Sequence, residues 1–384
     1  MAKILFFTWD GGGNQLPVVE IGLELRRRQH QVLVAGFRTQ LPRFRSVGLD
    51  FVVLGRSGDL TFSEAGWAST PAFFQLVMAN PDHLSDVADL VAAERPDVAV
   101  VDCLLYGVLA AVEKAGIGRL SLIHTAPGAM TGTGPSSAAR AARLVEMVNG
   151  LRGIAELPPT NSHLDVWGRA VVTSIRELDP AGFDPPSAFK YIGPVLERQR
   201  SWPLPWRGVA RKPIALVSLS STNAYGTQTS RLQSVLNALA ELPLNVLVTA
   251  PSVDVGVLVV PPNAVVTGFA PHSAILPHAA LAISHGGHGT LAAALASGVP
   301  TICMPNPMGD QPALAGRVEE LGAGIALDSD ASAATIKNAV VEVLGNSSYR
   351  DAARRLMQLI DTDANRRGAD EIEAVASPHM TAPV

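Results

Sequence analysis

Apolar residues in this chain fall into short runs separated by helix-length segments. Lys3–Thr8 (KILFFT) is apolar almost throughout and β-favouring, the pattern of a strand covered on both faces. Asp10-Gly11-Gly12-Gly13 breaks it, and Val18, Val19, Gly22, Leu23 and Leu25 then repeat at helical spacing towards Gln29. Gln31–Ala35 is the next strand. A strand, loop, helix, strand opening demands a parallel sheet with a right-handed crossover. Further runs at Phe51–Leu54, Val98–Val101, Leu120–Ile123, Val171–Ser174 and Tyr191–Ile192 extend that sheet.

A second series follows the polar, Pro- and Trp-interrupted stretch Leu196–Lys212, which has no usable periodicity. Its strands are predicted at Ile214–Leu219, Val246–Thr249, Val265–Gly268, Leu281–Ser284, Thr301–Met304 and Ile325–Leu327. Helices are predicted at Thr229–Glu241, Leu291–Ser297, Ala313–Leu321, Ala333–Leu344 and Ser348–Ile360. The expected architecture is α/β, with two doubly wound parallel sheets, residues 1–200 and 213–360. A tail, 361–384, is expected to pack back on the first unit and to fray over its last eight residues. Ligands of such sheets sit at the C-terminal strand edges, so two facing edges make a cleft.

Length supports the division, since 384 residues exceed what one core usually organises. Hydrophobic residues make up 47% and charged residues 17%, as in a compact protein with a large core. A net charge of −4 without a basic run argues against nucleic acid as a partner. Cys103 and Cys303 form no metal or redox motif, and Cys103 reads as a small core residue. No apolar run approaches a membrane span, and the chain enters a strand at once without a signal peptide, so the cytoplasm is expected. The oligomeric state is left open, a homodimer included.

The most chemically informative stretch is Leu281-Ala-Ile-Ser-His-Gly-Gly-His-Gly-Thr290. A buried strand stops at His285, three glycines follow, and an Ala-rich helix begins. Glycines at such a junction let backbone N–H groups close on an anion, and the helix N-terminus adds partial positive charge. After the next apolar run, Asp310-Gln311 supplies a polar pair. Together they outline a site for a phosphate group with a polyhydroxylated partner.

The segment VVTGFAPHSAILPHAALAISHGGHGTLAAALASGVPTICMPNPMGDQPALAGRVEELGAGIAL, from Val265, resembles the donor half of nucleotide-sugar-dependent glycosyltransferases with the GT-B fold, above all bacterial natural-product enzymes. The opening ILFFTWDGGGNQLPVVEIGLELRRRQHQVLV is similar to their acceptor half. The resemblance implies that His285 contacts the donor diphosphate, and that Gly287, Gly289 and Thr290 bind its other phosphate. It places Asp310 and Gln311 on the sugar hydroxyls, Phe269 against the nucleobase, and Ser218, Ser220 and Ser221 near the phosphates. His288 falls where the family varies. The co-substrate is then a TDP- or UDP-sugar. No cofactor is implied and, without an Asp-rich motif, no metal: fixed N–H dipoles can stabilise the leaving diphosphate.

The resemblance fails at one position. Asn14 stands where many relatives carry a histidine and others an aspartate, and a neutral amide does not accept a hydroxyl proton. Four residues remain as catalytic candidates. Asp102 ends a strand and matches the family's partner carboxylate; it would act directly if burial raised its pKa. Asp10 ends the first strand, His124 ends the strand Leu120–Ile123, and Asn14 would orient the acceptor or hydrogen-bond Asp102. Trp67, Phe73, Phe74 and Met78, with a flexible stretch at Pro127–Ser137, suit a hydrophobic small-molecule acceptor. The expected activity is inverting glycosyl transfer, O- or C-linked. A nucleotide-sugar epimerase and a non-catalytic auxiliary partner are the alternatives.

Overall fold

The computed structural model describes residues 1–59, 73–131, 135–198, 201–206, 212–219, 228–251, 253–307 and 309–376, with the side chains of 135–137 outside that description. Trp67, Ser220 and Ser221 lie outside the described residues. The first sheet has seven parallel strands: β1 (Lys3–Phe7), β2 (Gln31–Gly36), β3 (Asp50–Val53), β4 (Val98–Asp102), β5 (Gly118–Ile123), β6 (Ala170–Val172) and β7 (Phe189–Tyr191). Their order is β3-β2-β1-β4-β5-β6-β7. The second sheet has six: β8 (Ile214–Ser218), β9 (Asn245–Thr249), β10 (Ala264–Thr267), β11 (Ala279–Ser284), β12 (Thr301–Cys303) and β13 (Gly324–Ala326), in order β10-β9-β8-β11-β12-β13. Every predicted strand is present, within two residues at each end.

These strands are apolar throughout because helices cover both faces of each sheet. Ile4 and Phe6 of β1 point into one core with Val18, Ile21 and Leu25, while Leu5 and Phe7 point into another with Leu105, Leu109 and Trp167. The helix Ala364–Ala376 closes the first of these cores from the far end of the chain, through Ala364, Ala369 and Ile372. Arg28 holds it there, pairing with Asp370 at 2.5 Å and Glu373 at 2.8 Å, and His30 adds a 2.7 Å contact to Glu373.

Strand order reverses between β1 and β4 in one sheet and between β8 and β11 in the other. At such a switch point the connecting loops diverge and leave a crevice at the C-terminal strand ends. The two units meet beside these crevices. Ala126, Ala129, Ile175 and Leu178 of the first share one apolar cluster with Leu291, Leu295, Leu314 and Val318 of the second. Arg317 Nε donates to the Glu177 carbonyl at 2.8 Å across the same boundary.

One sequence expectation is corrected here. Pro127–Ser137 is not wholly loop: Pro127–Thr131 is helical, and a second helix runs Pro135–Ile154. The Gly128 N–H donates to Asp179 Oδ1 at 2.7 Å, so a carboxylate far along the chain satisfies the start of the first helix.

Candidate active site

The β1–β4 switch point gathers three side chains and one backbone N–H on one carboxylate. Asp102, at the end of β4, is 1% exposed. Its Oδ1 accepts from Trp9 Nε1 at 3.2 Å and the Leu104 N–H at 3.0 Å. Its Oδ2 accepts from Asn14 Nδ2 at 3.0 Å and lies 3.2 Å from His124 Nδ1. The His124 contact is a charge contact rather than an aligned hydrogen bond. His124 comes from the end of β5, the neighbour of β4, and keeps 17% of its side-chain surface open.

This arrangement answers the condition set for Asp102. Burial pushes its carboxyl pKa up, but the His124 charge and the donors around it outweigh burial and hold it below the usual carboxylate range. Asp102 is therefore an ionised carboxylate with its lone pairs committed, and burial does not turn it into a base of raised pKa. His124 moves the other way. Burial pulls the imidazole down, yet the Asp102 charge and contact, with Cys103 beside them, place it well above its ordinary value.

Asn14 is 3% exposed and spends all its groups inside the protein. Nδ2 donates to the Trp9 carbonyl at 3.0 Å as well as to Asp102, and Oδ1 accepts from the Gly11 N–H at 3.2 Å. It thus holds the carboxylate rather than facing a ligand. Asp10 is engaged by Gln15 Nε2 at 2.8 Å and makes no hydrogen bond to Asn14, Asp102 or His124. Ligand-type atoms of Asp102, Cys103 and His124 lie within 4.8 Å of one another, but a cation there would compete with donors the carboxylate already has.

At the other switch point, β11 ends at Ser284 and His285 leads into the glycine loop. Gly286 has φ of +73°, a left-handed backbone suited to glycine, and its N–H donates to Ser284 Oγ at 3.1 Å. A Cβ on Gly287 would lie 2.4 Å from His285 Nε2, so the ring packs against a position that only glycine leaves open. Gly287 caps the helix His288–Ala296, whose first turn includes Gly289 and Thr290. The leading amides of a helix have no intrahelical acceptor and present an anion site. Burial holds His285 below its ordinary pKa, partly opposed by the Ser218 backbone and Asp310 and reinforced by Arg231. Its Nδ1 is buried without a hydrogen-bond partner among the described residues.

Arg231 was not singled out from the sequence. It stands in the first turn of the helix Thr229–Leu239, donates to Asn306 Oδ1 at 2.6 Å, and lies near enough to His285 to affect its charge. A cation at the start of the first helix after β8 was the available signal.

Asp310 and Gln311 begin the helix Gln311–Glu320, but neither is simply open to a ligand. Asp310 Oδ2 accepts from Thr125 Oγ1 of the first unit at 2.5 Å. Gln311 Oε1 accepts from Asn306 N at 3.0 Å and Nδ2 at 2.9 Å. His288 Nε2 meets Ser174 Oγ, also of the first unit, at 3.0 Å. Phe269 is 59% exposed after β10, with Trp202 edge-on at 6.4 Å, an aromatic face of the kind a base stacks on. On the acceptor side, Met78 is buried in the core and Phe73 packs on Trp9 at 5.3 Å. Phe74, 38% exposed, is the described aromatic of that group with an open surface.

Residues 233–367 match the family model described as erythromycin biosynthesis protein CIII-like, C-terminal domain. That match falls largely within the second unit. Its span contains His285, the glycine loop and Asp310-Gln311. The chain is 34% identical over 193 residues, 49% of its own length, to a PGL/p-HBAD biosynthesis rhamnosyltransferase of Mycobacterium bovis (strain BCG / Pasteur 1173P2), and spans 41% of that protein. It therefore covers less than half the length of the mycobacterial relatives it matches. It is 25% identical over 352 residues to the TDP-daunosamine transferase DnrS of Streptomyces peucetius, covering 84% of this chain and 78% of that one. The solved glycotransferase of kitacinnamycin superposes with a TM-score of 0.78 at 23% identity, over 97% of this chain and 99% of that one. That likeness extends over the residues ahead of 233 as well: the fold is GT-B.

Proposed function

We propose that this protein transfers a sugar from a nucleotide diphosphate, of the TDP or UDP class, to a hydrophobic small-molecule acceptor with inversion at the anomeric carbon. The observation that carries the reading is the meeting of two switch points. A histidine, glycine loop and helix N-terminus suited to a diphosphate adjoin a buried carboxylate–imidazole couple across the unit boundary. The relation to a TDP-daunosamine transferase supports the donor class.

In this reading the diphosphate lies at His285, Gly287, Gly289 and Thr290, with Ser218 and Arg231 beside it, and Phe269 stacks on the nucleobase. The leaving diphosphate gains negative charge as the glycosidic bond breaks, and preorganised N–H dipoles stabilise that charge. His124 is the general base. Nδ1 faces Asp102, which leaves Nε2 to take the proton of an acceptor hydroxyl as its oxygen attacks the anomeric carbon. Asp102 stabilises the imidazolium that forms, and Asn14 and Trp9 hold Asp102. An O-linked product follows. Phe74 borders the acceptor.

The test is calorimetric titration with TDP- and UDP-sugars, followed by transfer assays on polyketide and macrolactone acceptors with the product anomer read by NMR. Binding lost in His285→Ala, and an inverted O-glycoside from wild type, support the reading. Absence of nucleotide-sugar binding by wild type, or undiminished binding by His285→Ala, overturns it.

A further inference from the structure

Trp9 follows β1 and carries the indole that donates to Asp102 Oδ1 at 3.2 Å. How well that bond is made depends on where the ring is held, and Trp9 is 8% exposed. A Cβ on Gly11 would lie 2.6 Å from the indole's Cη2, so the glycine loop packs directly against the ring. Phe73 holds the same ring from a distant segment, with centroids 5.3 Å apart and planes tilted by 53°. Aromatic pairs of this kind fix orientation as well as burying area.

Phe73 is itself fixed. It precedes the π-turn Phe74–Met78, in which the Ala79 N–H donates to the Phe74 carbonyl at 2.8 Å. Single π turns recur at functional sites. Here Val77 and Met78 anchor the turn in the core, and Phe74 meets Phe73 edge-on at 5.6 Å with its own surface partly open. A chain of contacts thus runs from the acceptor side to the carboxylate beside the base: Phe74, Phe73, Trp9, Asp102.

We propose that Phe73 is a positioning residue for the base: by fixing the Trp9 indole it sets how firmly Asp102 is held, and so how strongly Asp102 retains a proton on His124. The inference rests on the reading of His124 as general base and adds a residue that acts on it through Trp9 and Asp102. Without the Phe73 ring the indole loosens, the carboxylate loses part of a donor, and its hold on the imidazolium proton strengthens. His124 then titrates at higher pH and is less available as a base at neutral pH. The other titratable groups around the pair are Cys103 and Tyr106, which follow Asp102, and His288 at the start of the helix His288–Ala296, with Asp310 acting on His288. Phe73→Leu leaves each of them in place.

The test is an NMR titration of the His124 imidazole, assigned by its loss in His124→Gln, on wild type, Phe73→Leu, Trp9→Phe and the double variant. It needs no substrate. Phe73→Leu is expected to raise the titration midpoint by about 0.3 and Trp9→Phe by about 0.5, fractions of what one charge-assisted hydrogen bond contributes to the carboxylate itself. On the Trp9→Phe background, Phe73→Leu is expected to add less than about 0.1, because the donor through which it acts is gone. No rise in Phe73→Leu, or the same rise with and without the Trp9 donor, overturns the inference and leaves His124 standing as base. Rises that the pH profile of kcat/KM for sugar transfer does not follow remove His124 as the base, and the inference falls with it. Phe73→Met, a second variant of similar bulk without a ring, should repeat the result, and melting curves show that each variant is folded.

Discussion

Nδ1 of His124 lies 3.2 Å from Oδ2 of Asp102, and the two residues end adjacent strands of the first sheet. Residue 102 pairs with 122 in the ladder, so the two strand ends project side by side into the switch-point crevice. A histidine two residues further along β5 thereby reaches the carboxylate on which Asn14 also sits. An imidazole thus stands beside Asp102 although position 14 holds an amide.

If His124 is the base, removing it must cost turnover without costing donor affinity. His124→Ala is expected to lower kcat by about 100-fold or more while the donor Kd stays within about twofold. Single-turnover kinetics beside calorimetry checks this. Equal losses in both quantities would point to a structural role.

The pH profile carries a sign. A base acts when deprotonated, and Asp102 holds His124 well above its ordinary pKa. The rise of kcat/KM with pH should therefore lie on the alkaline side of an ordinary histidine. Trp9→Phe removes a donor from Asp102 Oδ1, leaves the carboxylate less stabilised, and strengthens its hold on the imidazolium proton. The profile should move further alkaline, lowering activity about threefold at neutral pH. An acid shift would contradict the assignment.

Gly287→Ala isolates the position of His285. The new methyl would lie 2.4 Å from Nε2 of a half-buried ring, which can swing aside without disturbing the strand. The melting temperature should change little, and nucleotide-sugar Kd should rise about tenfold as the ring leaves its place. An unchanged Kd would remove His285 from the donor site.

Acid stability should depend on His83. Its ring is 0% exposed, both nitrogens lack hydrogen-bond partners among the described residues, and burial lowers its pKa from 6.5 to about 4 against the opposing Asp86 charge. Between those values the unfolded chain binds the proton and the folded chain does not. Stability is thus retained above pH 6.5 and lost as pH falls towards 4, by about 3 kcal/mol from this residue. Urea denaturation at pH 7 and pH 4.5 should show a smaller acid loss in His83→Leu than in wild type. The contributions of His272 and His288, whose pKa values burial also lowers to about 4, should remain.

Much of the fold was legible because parallel strands buried on both faces leave continuous apolar runs, and KILFF and VAVVD can hardly be anything else. The glycine loop after His285 was legible for a related reason: backbone that must approach an anion needs glycine at fixed offsets. Trp9, Thr125 and Arg231 were not. Each acts through a partner 75 or more positions away, Trp9 on Asp102, Thr125 on Asp310 and Arg231 on Asn306. Nothing local in the chain marks such a pairing. Helix Pro127–Thr131 was hidden likewise, since its N-terminal partner is Asp179.

The sequence by itself determined the two parallel sheets, their strand ends and the phosphate-suited loop, because these follow from local periodicity and backbone freedom. Only the tertiary structure decided that Asp102 is an ionised partner and that His124 is the imidazole beside it. A carboxylate's pKa depends on the groups around it, and here burial, three hydrogen-bond donors and the His124 charge act on Asp102 at once. It also decided that Asp310 is already occupied, because Thr125 reaches it only when the two units are packed together.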